Sequence, residues 1–176
     1  MSRIGLLGPE TAGGDAAAIL KEIEAAFGMV PNLFKAYAHH PPVLEANWHK
    51  VKAVMMQGGL SRKLKETIAV AVSRDNGCTY CVSAHTAALK SIGVDDRELK
   101  AIEEDIDRTD FSVKEKALLD FARKANKAPL RITDAEFEAL RASGATRAEI
   151  VEALGVMEVF TSFNKFLDSL QVELDF

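Results

Sequence analysis

An all-α fold is what this sequence predicts, and three observations predict it. Capping boxes stand at Asp95-x-x-Glu98, Ser112-x-x-Glu115, Thr133-x-x-Glu136 and Thr146-x-x-Glu149. In each, the first side chain can accept a hydrogen bond from an orphan backbone N–H, and the Glu can reach back to the cap residue. Behind the boxes, apolar residues recur at helical spacing, as at Val113, Ala117, Leu118 and Phe121. No segment alternates with period two between hairpin signals, so strands are not required.

Taken in order, Asp15 is placed to cap a first helix running to about Phe27, with Ile19, Ile23, Ala26 and Phe27 on one stripe. Pro31 suits the first turn of a short helix through Tyr37. Pro41-Pro42 ends that segment and opens another, from about Pro42 to Met56, which Gly58-Gly59 breaks. Ser61 caps the next, through about Arg74, and Asp75-Asn76-Gly77 is a turn. A helix carrying both cysteines follows to about Ser91, and Gly93 and Gly144 stop the helices before them. Phe160, Phe163 and Phe166 form a stripe along the last helix that can pack inside the domain or between subunits. Trp48, Met55, Met56, Phe34 and Tyr37 read as core or subunit contacts. His39-His40-Pro41-Pro42 reads as a helix end rather than a metal site.

A weak internal repeat is visible. Leu64-Lys65-Glu66 matches Val113-Lys114-Glu115 at an offset of 49. Leu89, Gly93, Glu98 and Leu99 match Leu140, Gly144, Glu149 and Ile150 at 51, so the copies differ by a two-residue insertion. Duplication and chance similarity between capped helices account for this equally well.

The length of 176 residues suits one domain, 1–176, with a proper core, and 48% hydrophobic with 27% charged residues is ordinary for a globular chain. The formal net charge is -4 and no basic patch is present, which argues against nucleic acid. No apolar run approaches a membrane span, and the N-terminus lacks a signal peptide's apolar stretch. A cytoplasmic, reducing location is expected. There a close cysteine pair is more often catalytic, redox-sensing or metal-binding than a structural staple.

The chemistry concentrates in Cys78-Thr79-Tyr80-Cys81, followed by His85. With Cys78 at a helix start, Cys78, Cys81 and His85 fall on one face. Unpaired N–H groups and the macrodipole there favour thiolate, and His85 is placed to take the Cys81 proton. Glu66 opens the unbroken run Ile68-Ala69-Val70-Ala71-Val72, the mark of a helix buried on most sides, so its carboxylate needs a partner, and His85 is the obvious one. Ser73 lies on the Glu66 face and could donate to that network, whereas Tyr80 points away from the thiol face, so packing is its default reading and a hydroxyl contact to the site the alternative. The bland alternatives are two inert buried cysteines, or a zinc site with Cys78, Cys81 and His85 as three ligands; one helix seldom supplies three ligands of a tetrahedral site.

The pattern of Glu66, eleven intervening residues, Cys78-x-x-Cys81 and then His85 resembles the signature of the alkylhydroperoxidase AhpD-like group in the carboxymuconolactone decarboxylase superfamily. Val30-Pro31-Asn32-Leu33-Phe34 resembles the region before the motif in its peroxidase-related members. The resemblance implies an AhpD-like orthogonal helical bundle. An antiparallel helix hairpin at about 61–91 would carry the CxxC motif, and a degenerate second repeat would lie at about 112–171. It implies homo-oligomers, trimers or hexamers, and no bound cofactor or metal. It also implies a thiol-dependent peroxidase acting on organic hydroperoxides or hydrogen peroxide. Cys81 would attack, Cys78 would resolve the sulfenic acid, and His85 with Glu66 would relay protons. An external dithiol, a lipoyl group or a thioredoxin-like protein, would be the reductant. Tyr80 stands where the best-studied member has a histidine, which removes one proton carrier. The competing expectations are a disulfide oxidoreductase without peroxidase activity and a non-catalytic redox sensor or oligomeric binding module.

Overall fold

Among the residues that the computed structural model describes, 2–104 and 106–175, the regular structure is helical and no strand forms. The helices are α1 (Gly14–Phe27), α2 (Asn32–Tyr37), α3 (Pro41–Met55), α4 (Arg62–Asn76), α5 (Thr79–Ser91), α6 (Asp96–Glu104), α7 (Val113–Lys127), α8 (Asp134–Ala142) and α9 (Arg147–Leu170). Short 3-10 turns occupy Ile106–Arg108 and Pro129–Arg131.

The apolar run of α4 decides the arrangement. Ile68, Ala69, Val70, Ala71 and Val72 are all fully buried, so neighbours must surround the helix. Its neighbours α5, α9 and α7 do so. A fully buried aliphatic side chain contributes about 1.5–3 kcal/mol, so Ile68, Val70 and Val72 alone make α4 the anchor of the fold. Glu66 and His85, lying before and after Gly77, touch one another, so α5 folds back along α4.

Capping chemistry sets the boundaries. The Ser61 hydroxyl accepts from the Leu64 N–H at 3.2 Å. Ser112 with Glu115, Thr133 with Glu136 and Thr146 with Glu149 each form the full reciprocal box. Asp95 accepts from the Glu98 N–H at 2.8 Å, while the Glu98 carboxylate contacts the Lys63 ammonium at 2.5 Å. Gly93 and Gly144 adopt positive φ at helix ends.

Four expectations are corrected. Asp15 lies inside the first turn of α1, behind Gly13 at the cap; there it still meets the positive end of the macrodipole. The buried stripe of α1 is Ala16, Leu20 and Ile23, one position round from the expected one, and leaves Phe27 partly exposed. Asp75 and Asn76 are the last helical residues of α4, and Gly77 alone makes the turn. Asp75 is held in the helix by Arg123, bidentate at 2.9 Å, and by Lys127 at 2.9 Å.

The fourth correction concerns the repeat. The caps Ser61 and Ser112 stand 51 residues apart, as do the starts of α4 and α7 and the glycines Gly93 and Gly144. The ion pairs Lys63–Glu98 and Lys114–Glu149, at 2.5 and 2.6 Å, keep the same spacing. The offset is therefore uniform. The offset of 49 arose from aligning two Lys-Glu dipeptides that sit at different distances from their caps.

The α3–α4 connection is locked to α9. Lys65, almost fully buried, pairs with Glu152 at 2.6 Å and donates to the Gln57 carbonyl. Glu152 accepts from the Gly59 and Leu60 N–H groups at 2.9 and 3.2 Å. Gly58 has φ +97°, and a Cβ there would lie 2.1 Å from the Glu152 carboxylate, so both backbone and space demand glycine. This clasp fixes the start of α4, and with it Glu66.

Candidate active site

Gly77, at φ +80°, lets the chain reverse, and the Cys78 N–H then donates to the Ser73 carbonyl at 2.9 Å. Cys78 becomes the N-cap of α5, and Cys81 lies in its first turn. Both thiols are free and buried. They differ in access. Cys81 opens on a cavity of about 430 Å³, which Cys78 does not line. The walls are mostly apolar, including Phe34, Val51, Met55, Phe160 and Phe163, with Arg62, Glu66, His85, Tyr80, Ser91 and Asp175 as the polar groups. A hollow of about 630 Å³ at α6 is lined largely by charged side chains such as Asp95, Arg97 and Glu104, and includes none of these residues.

His85 and Glu66 meet as expected. The imidazole Nδ1 lies 2.5 Å from Glu66 Oε2, with the carboxylate buried. Arg62, one turn before Glu66, approaches its other oxygen at 3.6 Å. The Phe160 ring stands edge-on to His85 at 4.4 Å and limits its rotation. With Nδ1 engaged by a carboxylate, Nε2 is the nitrogen left for proton transfer. Of the sequence-assigned residues, Cys81, His85 and Glu66 line one cavity, and Cys78, which does not line it, is electrostatically coupled to Cys81.

Two neighbours depart from the default reading. Ser73 does not join Glu66. Its hydroxyl accepts from Asn164 Nδ2 at 2.9 Å, and both side chains pull the Cys81 pKa down. One turn of helix separates Ser73 from Cys78 across Gly77, which brings it to the thiols instead. Tyr80 is not mere packing. It lines the cavity, donates to Asp175 at 2.5 Å and accepts from the Leu33 N–H at 3.2 Å, strapping the C-terminal segment to the start of α2. Asp175 also accepts from the Asn32 N–H at 2.6 Å.

The electrostatics of the thiol pair are asymmetric. A hydrogen bond from Cys81 holds the Cys78 pKa down against its burial, helped by the Cys81 backbone N–H. The same contact pushes the Cys81 thiol up, and burial adds to that. Two influences oppose this polarity. The Asp168 carboxylate raises Cys78, and Asn164 and Ser73 lower Cys81. The two thiols are thus coupled, and when the pair loses a proton its surroundings decide which sulfur carries the charge.

Known proteins now become informative. Residues 41–124 match the Carboxymuconolactone decarboxylase family model, a span that includes Glu66, both cysteines and His85. A peroxidase-related protein with an alkylhydroperoxidase AhpD core, from Ralstonia eutropha JMP134, superposes with a TM-score of 0.88 at 29% identity, covering 99% of this chain and 92% of that one. The family match spans 84 of the 176 residues, and the fold is that of an alkylhydroperoxidase AhpD core. A second solved structure, a peroxidase-related protein from Silicibacter sp. TM1040, gives a TM-score of 0.87 at 26% identity, over 98% of this chain and 91% of that one. An alkyl hydroperoxide reductase of Mycobacterium tuberculosis is 32% identical over 88 residues, half of this chain and only 26% of that protein's length. The all-helical architecture is that of the AhpD-like core.

The residues of this site that sequence reasoning missed are Asn164, Asp168 and Asp175. Asn164 carried a readable signal, being a polar residue on the stripe of α9 that buries Phe160, Phe163 and Leu167. Asp168 and Asp175 reach the site through tertiary packing and had none. The aromatic stripe was seen, but its role as a cavity wall was not. His39 and His40 act locally, His39 Nε2 lying 2.6 Å from the Gly5 carbonyl and His40 accepting from Val43 at 3.4 Å. Among the described residues no cluster of three His, Cys, Asp or Glu side chains could hold a metal ion, and no helix is long and apolar enough to cross a membrane.

Proposed function

We propose that this protein is a thiol-dependent peroxidase for organic hydroperoxides. The observation that carries the reading is the opening of Cys81 onto a mostly apolar cavity beside the Glu66–His85 pair, with Cys78 electrostatically coupled to it. An apolar cavity of this size suits the organic part of an alkyl or aryl hydroperoxide better than hydrogen peroxide, which has no apolar surface to bury.

In the first step the Cys81 thiolate attacks the outer peroxide oxygen. An S–O bond forms and the O–O bond breaks; the sulfur is oxidised by two electrons, and the alkoxide leaves as an alcohol with a proton delivered through His85. Cys81 is then a sulfenic acid. Cys78 attacks that sulfur, the S–S bond forms and water leaves. An external dithiol reduces the disulfide by exchange and is itself oxidised. Both sulfurs are buried, so a slender dithiol such as a lipoyl group reaches them through the cavity more readily than a protein surface does. The same burial disfavours a protein disulfide as the substrate. Homo-oligomerisation and a cytoplasmic location belong to this proposal.

Turnover of cumene hydroperoxide with dihydrolipoamide as donor tests it. Cys81→Ser should abolish turnover, and Cys78→Ser should consume about one equivalent of peroxide per subunit and stop. Full activity in Cys81→Ser sinks the proposal. A preference for hydrogen peroxide would remove the substrate assignment.

A further inference from the structure

Behind Cys81 runs a line of polar side chains that the peroxidase cycle above does not use. Thr161 Oγ1 donates to Asn126 Oδ1 at 2.8 Å, Asn126 Nδ2 to Asn76 Oδ1 at 2.8 Å, Asn76 Nδ2 to Asn164 Oδ1 at 2.9 Å, and Asn164 Nδ2 to Ser73 Oγ at 2.9 Å. The line starts at Thr161 and Asn126, passes the exposed Asn76 and ends on the fully buried Ser73 and Asn164. These four bonds point the same way. Turning one amide over would set donor against donor and acceptor against acceptor at its neighbours, so the orientations enforce one another. Asn76 Nδ2 also lies 3.3 Å from Asn126 Oδ1, which closes the two amides into a mutual clasp.

The direction has a chemical consequence. Ser73 Oγ already accepts from Asn164, so its own proton is free for a further acceptor, and the Cys81 sulfur, whose pKa it lowers, is the candidate. Asn164 has a second amide proton for the same atom. In a buried setting, aligned hydrogen bonds polarise one another, and donors aimed at an anion contribute most there.

We propose that Ser73 and Asn164 are positioning residues that hold negative charge on the Cys81 sulfur, and that Asn76, Asn126 and Thr161 aim them as one donor-to-acceptor chain. The chain acts when the cysteine pair loses a proton. It favours the form with Cys78 as thiol and Cys81 as thiolate, which is the form the cavity-facing sulfur needs for attack. Asp168, on the Cys78 side, favours the same form because its carboxylate raises the Cys78 pKa. The other titratable groups around the pair are Tyr37 from α2, Tyr80 from α5, and Glu66 with His85 in the shared cavity. The inference rests on Cys81 as the reacting sulfur, but it concerns where the charge sits and is read without peroxide.

The test is the pH dependence of Cys81 alkylation by iodoacetamide in a Cys78→Ser background, where Cys81 is the one thiol. Ser73→Ala should move the alkylation profile up by about one pH unit, so that the rate at a fixed pH below the midpoint falls about tenfold. Asn76→Ala changes an exposed residue that contacts Asn126 and Asn164. It should move the profile in the same direction by less. Profiles in both variants that superpose on the parent overturn the proposal. Should Ser73→Ala fail to fold, an unmoved Asn76→Ala profile overturns it alone. A shifted profile in a protein that turns over no hydroperoxide would uphold the chain and reject the peroxidase reading. Peroxide turnover that needs Cys81, with unmoved profiles, would do the reverse.

Discussion

Glu66 shows how much a single side chain can carry in this molecule. Its carboxylate is buried at the mouth of an apolar helix, holds His85 Nδ1 at 2.5 Å and meets Arg62 on its free side. Removing its charge while keeping its shape separates the relay from the packing. Glu66→Gln should lower kcat/KM for an organic hydroperoxide by about 10–100-fold, the usual cost of losing the group that orients a working histidine. Equal kcat/KM in variant and parent would show that the pair is structural. Tyr80 makes a different prediction at the same scale. Its hydroxyl ties Asp175 to the Leu33 N–H, so Tyr80→Phe should speed amide exchange at Asn32 and Leu33, leaving α4 unchanged. The cysteines, His85 and Glu66 were all legible in the sequence because helical spacing and one turn bring them together. The hydroxyl partner of Tyr80 could not be named because it is 95 residues away, and no local pattern encodes a contact of that kind.

Helix ends, rather than helix interiors, were the most readable elements, since a cap is a covalently local event. Ser61, Ser112, Thr133 and Thr146 cap as their sequences indicate, and glycine ends α4 at Gly77. Faces were less readable: α1 turns a stripe of Ala16, Leu20 and Ile23 inward because α3 packs there, and the apolar Phe27 is left at the cavity rim. The Lys65–Glu152 pair was invisible for the same reason. It joins α4 to α9 and holds the Gly58-Gly59 bend. Despite burial, which raises it, the Glu152 pKa is lowered by Lys65 and by the Gly59 and Leu60 N–H groups. Lys65→Met would leave that carboxylate without its cation, at a cost of about 3–5 kcal/mol in urea unfolding. Adding Glu152→Gln should recover part of the loss, because the amide oxygen still accepts from the backbone and no buried charge remains. A loss no smaller in the double variant would argue against a charge effect.

At the scale of the whole molecule, acid should weaken the fold in a defined window. Lys114 first, then the Thr146 cap, hold Glu149 at a pKa of about 2, and Lys124 with Thr133 holds Glu136 at about 2. These carboxylates are depressed in the folded state, so their contribution is fully present above the unfolded value, about 4.3, and is lost as pH falls toward 2. The urea midpoint should therefore fall between about pH 4.5 and 2. Glu149→Gln should be less stable than the parent at neutral pH and converge with it near pH 2; a constant difference across that range would contradict the assignment. The uniform 51-residue spacing of caps, helix starts and ion pairs suggests that α4–α6 and α7–α9 descend from one unit, of which the first half holds the thiols. What joins these scales is the claim that the sulfur facing the cavity is the one that reacts. The most direct measurement treats Cys78→Ser protein with one equivalent of cumene hydroperoxide, traps sulfenic acid with dimedone and locates the adduct by peptide mass spectrometry. The adduct should lie on Cys81, and Cys81→Ser treated alike should give little or none on Cys78. An adduct on Cys78 in Cys81→Ser, formed at least as fast as that on Cys81, would contradict the account.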